Sequence, residues 1–207
     1  MRVIREDQND SISLALEFLH AKKIIAFACD TIYGIACDAS DEKAVEALYK
    51  IKNRDLKKPI AIFLKDLKAA NEIFYFDEVS KKIADKFLPG AITLVLKPKK
   101  EAALKLARNL NNSDEFLGFR IVDKSFIQKL LNEFNGILAV TSANISNKTA
   151  ANSVAEIINY FKNDDILIID DNSSSKLGKP STVIKIADQK IEILREGIIS
   201  ENQIKDL

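Results

Sequence analysis

Short apolar runs separated by amphipathic stretches recur through most of this sequence, and that alternation leaves few architectures open. Residues 24–28, 60–64, 92–96, 119–122, 137–141 and 166–169 are apolar runs too short to be whole helices, so they read as buried strands. Between them the apolar spacing turns helical. Residues 10–22 place Ile12, Ala15, Leu16 and Leu19 on one face, with Asn9 or Asp10 as the cap. Residues 41–51 turn Ala44, Val45, Leu48 and Ile51 inward and keep Asp41 and Glu42 at the N-terminal end, where the helix dipole favours them. Further helices are predicted over 66–73, from Asp77 or Ser80 to about 87, over 123–134 with Asp123 as cap and Asn135-Gly136 as stop, and over 153–161. Two strands, 182–186 and 191–194, then follow one another through Asp188-Gln189. Residues 97–112 have only partial helical periodicity, 111–114 and 171–179 read as polar loops, and 200–207 as a last helical turn or two. Strands alternating with helices and ending in a consecutive pair predict an α/β (α+β) chain, a mixed sheet with helices packed on it.

The chain has 207 residues, 47% of them hydrophobic, enough for a large core without a disulfide or metal staple. No stretch has a linker's composition, so residues 1–207 read as a single domain. Lys and Arg number 31 against 30 Asp and Glu, a net charge of +1. Global charge thus favours neither a nucleic-acid coat protein nor an acidic tail, and any anion site must come from local clustering. The N-terminal residues lack the apolar core of a signal peptide, and no apolar run reaches the ~18 residues of a membrane span. With two cysteines, Cys29 and Cys37, the expectation is a reduced, cytoplasmic protein away from membranes. One His and two Cys do not make a zinc site, and no metal ligands are predicted.

Polar groups cluster where strands end. Asp30, Thr31 and Tyr33 follow the first buried run, and Lys50, Lys52 and Arg54 close the next helix. Ser142 and Asn144 follow the run 137–141, and Ser181-Thr182 opens a strand whose partner ends in Arg195. Strand ends are where sheet proteins bind ligands. Plainer readings exist for each: Thr31 as a turn residue, the three cations as a solvated helix end, Ser142 and Asn144 as local turn formers. His20 sits at the edge of an apolar helix face and reads as a boundary residue. The sequence has no Walker loop, no Gly-x-Gly-x-x-Gly and no nucleophile elbow. What remains is a set of fixed cations with neutral hydroxyl and amide groups, suited to stabilising phosphates and carboxylates by position and charge.

These pieces together resemble the YrdC-like family of threonylcarbamoyl-adenylate synthases. The family's Pro-Thr-Glu-Thr-x-Tyr-Gly turn corresponds to Ala28-Cys29-Asp30-Thr31-Ile32-Tyr33-Gly34, and its Lys-x-Arg to Lys52-Asn53-Arg54, followed by Pro59 and a strand. Pro-Gly-Pro-x-Thr appears as Pro89-Gly90-Ala91-Ile92-Thr93, the later strand arginine as Arg120, and Ser-x-Asn as Ser142-Ala143-Asn144. Ser181-Thr182-Val183-Ile184 and Arg195-Glu196-Gly197 complete the order. The departures are Ala28, Cys29 and Asp30 in the first turn, Ala91, Ile121-Val122 after Arg120, and Phe63 where some members have His. The match is to the short form of the family.

The resemblance implies a YrdC-like fold, a single twisted mixed sheet with helices around a concave basic cavity. It implies that L-threonine, bicarbonate or CO2 and ATP give threonylcarbamoyl-AMP and pyrophosphate, a nucleotidyl transfer. The product would feed a separate transferase complex that makes threonylcarbamoyladenosine in tRNA, and weak tRNA contact is a further expectation. Lys50, Lys52 and Arg54 would be catalytic. Lys52, Arg54, Ser142, Asn144 and Arg195 would bind ATP, and Thr31, Tyr33, Arg54, Arg120 and Ser181 would surround threonine. Mg2+ would be held by ATP oxygens and water. The alternatives are a double-stranded RNA or tRNA-binding module without catalysis, which predicts steep salt dependence, and a related carbamoyl transfer of the kind found in larger hydrogenase-maturation proteins.

Overall fold

The computed structural model describes residues 1–110, 115–172 and 178–206. In chain order its elements are β1 (Arg2–Arg5), α1 (Ser11–His20), β2 (Ile24–Phe27), β3 (Gly34–Asp38), α2 (Glu42–Ile51), β4 (Ala61–Phe63), α3 (Leu67–Ile73) and α4 (Glu78–Phe87). Then come β5 (Ile92–Leu96), α5 (Lys100–Ala103), a 3-10 turn (Arg108–Leu110), β6 (Leu117–Arg120), α6 (Ser125–Phe134), β7 (Leu138–Ser142) and α7 (Val154–Phe161). β8 (Ile166–Asp170), β9 (Thr182–Ala187), β10 (Lys190–Arg195) and α8 (Glu201–Lys205) finish the chain. All ten strands join one mixed sheet in the order β1-β8-β2-β3-β7-β4-β6-β5-β9-β10.

The strand alternation sorts the core into two layers. Ile24, Ala26, Ile35, Ala139, Ile166 and Ile168 face one way, against α2, α3, α4 and α7. Ile25, Phe27, Ala36, Leu138, Leu167 and Ile169 face the other way, against α1 and α6. The first layer runs on under β5, β6 and β9 through Leu94, Phe119 and Ile184. The second stops at β4, since α1 and α6 pack against each other over the β1-to-β4 half of the sheet. Among the described residues one half of one face is therefore left without a helical cover, and that half is concave ground for a ligand.

The helix caps follow local chemistry. Asp41, Asp66 and Ser153 each accept a hydrogen bond from the third helical N–H, and Asp77 forms a reciprocal capping box with Ser80. Two expected caps are corrected. Asp10 occupies the N-cap of α1 but its side chain makes no cap bond. Asp123 does not cap α6, which begins after Lys124; its N–H instead donates to Asp30 Oδ2 at 3.3 Å. Asn135, with φ of 49°, ends α6 in the left-handed region as expected.

β3 is a strand the sequence pattern did not announce, since residues 34–38 follow the turn as Gly-Ile-Ala-Cys-Asp, with no β-branched cluster beyond Ile35. β1 is likewise a strand that the apolar runs named above do not include, its residues 2–5 carrying only Val3-Ile4 between two arginines. The predicted loop 111–114 lies outside the described residues, as does the middle of 171–179. Among the described residues no helix is long and apolar enough to cross a membrane.

Candidate functional site

A cavity of about 500 Å³ lies on the uncovered half-face. Its floor is made by alternate residues of neighbouring strands: Gly34, Val140, Ala61, Gly118, Thr93, Val95 and Val183. These side chains are small, so the sheet sinks where α1 and α6 no longer cover it. Among the described residues the lining carries four cations, Arg54, Arg120, Lys185 and Arg195, against one carboxylate, Glu192, and so favours an anion.

The loop between β2 and β3 forms one wall. Antiparallel pairing of these strands brings residues 28–33 back over the sheet edge, with Cys29, Thr31 and Tyr33 on the lining. Arg120, 3% exposed at the end of β6, holds this loop. Its Nε donates to the Gly90 carbonyl at 2.8 Å, one terminal nitrogen to Thr31 Oγ1 at 3.0 Å and the other to Asp30 Oδ1 at 2.6 Å. Asp30 therefore orients the arginine. The buried Cys29 thiol is pushed up to about 12 by desolvation, with Arg120 opposing, so at neutral pH it is not a thiolate nucleophile. Desolvation, then the charge of Asp171, also raises Tyr33.

Arg54 comes from the end of α2. The helix closes in a Schellman motif: Asn53 N–H bonds the Lys50 carbonyl at 3.0 Å, Arg54 N–H bonds the Tyr49 carbonyl at 2.9 Å, and Asn53 takes a left-handed φ of 51°. That turn sends the neighbouring cations to different places. Arg54 reaches the cavity lining, with its Nε and one terminal nitrogen on the Lys58 and Pro59 carbonyls at 3.1 and 2.8 Å. Lys52 goes inward and is 1% exposed. Its ammonium donates to the Ser142 carbonyl, to the Asn144 carbonyl at 2.8 Å and to Asn144 Oδ1 at 3.2 Å. Burial, then the charge of Arg54, push it down to about 7, while the three oxygens hold its proton.

The third wall is β9 with β10. Ser181 Oγ and Thr93 Oγ1 share a hydrogen bond of 2.9 Å across the start of β9 and β5. Arg195 donates through Nε and a terminal nitrogen to the Ser181 carbonyl at 3.2 and 2.8 Å. Strict alternation would turn Arg195 away from the face that carries Glu192 and Leu194. A bulge corrects this: Ile193 pairs with Ile184 and Arg195 with Val183, so Leu194 is the extra residue and both it and Arg195 line the cavity. Desolvation, then the charge of Arg120, lower Arg195 from the usual arginine value.

The structure thus brings Thr31, Tyr33, Arg54, Arg120, Ser142, Ser181 and Arg195 to one cavity. Three expected ligands, Lys50, Lys52 and Asn144, are not on its lining. Lys50 is exposed in the last turn of α2, on the solvent side. Lys52 spends its donors on protein oxygens. Asn144, 8% exposed, is held by Lys52, Ser142 and its own loop, so the turn-forming reading of this residue is also correct. His20 is the boundary residue expected, with its ring 5.5 Å from that of Phe134. Sequence reasoning passed over Phe116, Lys185 and Glu192, and gave Thr93 a place in a motif but no role. The two-residue alternation from Ser181 through Val183 was the available signal for Lys185, whose ammonium lies 4.1 Å from the Phe116 ring centroid.

Comparison with known proteins agrees with this architecture. The family model described as telomere recombination, Sua5/YciO/YrdC, matches residues 17–197. A putative threonylcarbamoyl-AMP synthase of Methanocaldococcus jannaschii is 40% identical over 191 residues, covering 89% of this chain and 86% of that protein. The threonylcarbamoyl-AMP synthase of Homo sapiens is 32% identical over 204 residues, covering 96% of this chain and 71% of that protein. Among solved structures, an H234A/Y235A variant of Pyrococcus abyssi Sua5 superposes with a TM-score of 0.91 at 26% identity; it covers all of this chain, which spans 59% of the Sua5 chain. The chain belongs to the Sua5/YciO/YrdC family.

Proposed function

We propose that the protein is an L-threonylcarbamoyladenylate synthase, an ATP-dependent nucleotidyltransferase that joins L-threonine, bicarbonate or CO2 and ATP into threonylcarbamoyl-AMP with release of pyrophosphate. The relatives' names support this activity. The observation that carries it into this chain is the convergence of Arg54, Arg120 and Arg195 on one cavity with no activated nucleophile beside them among the described residues. Threonine's amine adds to CO2 and loses a proton, giving a carbamate. A carbamate oxygen attacks the α-phosphorus, and the bond from that phosphorus to the pyrophosphate oxygen breaks. This chemistry needs three reactants held together and negative charge neutralised, with no covalent intermediate on the protein.

In this reading Arg54 and Arg195 hold phosphate oxygens. Arg120, Thr31 and Ser181 hold the amino acid, with Tyr33 on the same wall. Guanidinium groups suit both tasks because they grip phosphates and carboxylates through paired donors. Among the described residues no cluster of His, Cys, Asp and Glu is built for a metal ion, so Mg2+ would travel on the ATP phosphates with water. The product is a mixed anhydride that a separate tRNA-modifying transferase would consume, and a cytoplasmic location would suit that hand-over. The test is pyrophosphate release from ATP with threonine and bicarbonate supplied together and singly. Release is expected only when both are present; release that ignores the omission of bicarbonate would falsify the proposal.

A further inference from the structure

Lys52 has three N–H donors and meets three oxygens, the Ser142 carbonyl, the Asn144 carbonyl and Asn144 Oδ1. An ammonium in that state has no donor left for a phosphate. Asn144 is equally occupied. Its Nδ2 gives its two protons to the Ile145 and Lys148 carbonyls, at 2.9 and 2.8 Å. Its Oδ1 accepts from Lys52 and, at 2.6 Å, from Ser142 Oγ. Two carbonyls facing the nitrogen fix which amide end is which. The Ser142 hydroxyl must then be the donor to Asn144, because Oδ1 carries no proton. Ser142 lies on the cavity lining, so toward a ligand its oxygen has only lone pairs to offer.

We infer that Lys52 and Asn144 are positioning residues which hold Ser142 Oγ as a hydrogen-bond acceptor facing the cavity, and that this oxygen reads an N–H or O–H group of the substrate. The inference rests on the synthase reading above. Phosphate oxygens of ATP at neutral pH have no proton to give, so Ser142 does not hold them. The carbamate N–H and threonine hydroxyl do, as do the ribose hydroxyls and the adenine amine. The grip on phosphate falls to the arginines. The clasp also closes through the backbone, where Ser146 N–H donates to the Lys52 carbonyl at 2.8 Å. Strand β7, its following loop and the end of α2 are thereby one unit, which explains why a lysine buried behind a cavity is part of how the cavity is shaped.

The test uses Lys52→Met, Ser142→Ala and the double variant, with inorganic tripolyphosphate as a ligand that has phosphates and no other groups. Positioning predicts a tripolyphosphate Kd within about threefold of wild type for Lys52→Met. It predicts a fall of about tenfold or more in threonine-dependent kcat/KM, and no further fall when Ser142→Ala is added. A rise confined to the threonine KM in Ser142→Ala assigns the donor to the carbamate or amino acid; a weaker Kd for adenosine assigns it to the nucleoside. Loss of tripolyphosphate binding by about tenfold in Lys52→Met, or additive effects in the double variant, overturns the inference. Should Lys52→Met fail to fold, acylation of amines in the native wild-type protein gives the same decision. Lys52 is then expected to stay unlabelled with and without tripolyphosphate, and labelling that tripolyphosphate suppresses overturns the inference. Binding and labelling need no turnover, so a wild-type protein that releases no pyrophosphate sinks the synthase reading and leaves this test standing.

Discussion

Arg120 and Lys52 are both buried cations that stitch the site together, one on each side of the cavity, yet only one can also hold a ligand. A guanidinium has five N–H groups. Arg120 spends donors on Gly90, Thr31 and Asp30 and still has two N–H groups in reserve, on the cavity lining. An ammonium has three, and Lys52 has committed all of them to Ser142 and Asn144. Arginine can therefore build a wall and serve from it, whereas a lysine in the same position becomes part of the wall. Charge partners differ in the same sense. Arg120 has Asp30 beside it, an ion pair with side chains 4% and 14% exposed, while Lys52 has only neutral oxygens.

The sharpest way to break this contrast is Arg120→Met. It removes the ligand donors and leaves Asp30 without its ion-pair partner, a loss of about 3 kcal/mol for a buried pair. Turnover should fall by about 10² or more, with threonine binding measurably lost, if Arg120 holds the amino acid as proposed above. Denaturant unfolding alongside pyrophosphate release checks both. Stability unchanged within error would show that the Asp30 pair is not what secures the β2–β3 loop.

A smaller effect is expected at Gly197. A Cβ there would stand 2.2 Å from the Pro180 carbonyl oxygen and 2.5 Å from the Ser181 carbonyl carbon, so the backbone around Ser181 must shift. Gly197 N–H also donates to Thr182 Oγ1 at 2.9 Å. Gly197→Ala should cost about 1–3 kcal/mol, the usual range for overpacking, and should weaken whatever Ser181 and Arg195 bind. A variant with wild-type melting temperature and wild-type ATP affinity would mean that the third wall tolerates movement that the Arg120 wall does not.

Cys29 tests the Arg120 wall from its apolar side. It is buried among the second core layer, 8% exposed, with its thiol held protonated. Cys29→Ala removes packing and no hydrogen bond assigned to substrate, so about 1 kcal/mol of stability is expected to go while the threonine KM stays within about threefold. A KM raised tenfold would place the thiol in contact with threonine.

Much of the fold was legible because strand and helix periodicities differ and the runs are short. The sheet's order was not, because β9 beside β5 and β8 between β1 and β2 are non-local pairings that no window of sequence contains. The site was legible as residue types at strand ends, and most of them do share the cavity. Direction was the missing information. Asn53 in the left-handed region separates Lys52 from Arg54, and the bulge at Leu194 turns Arg195 toward Ser181. Asn53 was itself the readable signal, since Asn is one of the few residues that takes this conformation readily. The bulge had no signal in the local sequence. Lys185 lies in a strand interior and gave no strand-end signal, while a floor built from alternate residues draws on strand interiors as well.

Lys50 provides the smallest effect and the cleanest contrast with Lys52. It is exposed in the last turn of α2, where a cation suits the helix dipole by about 0.3–1 kcal/mol and touches nothing in the cavity. Lys50→Ala should therefore leave kcat/KM for threonine and ATP within about twofold and lower stability by no more than the dipole contribution. Lys50 stands two residues before Lys52 in a run of three similar cations, so a large loss at this position would mean that charge density over the helix end matters to the site, and donor counting does not. A small loss here with a large one at Lys52 is the result that donor counting requires.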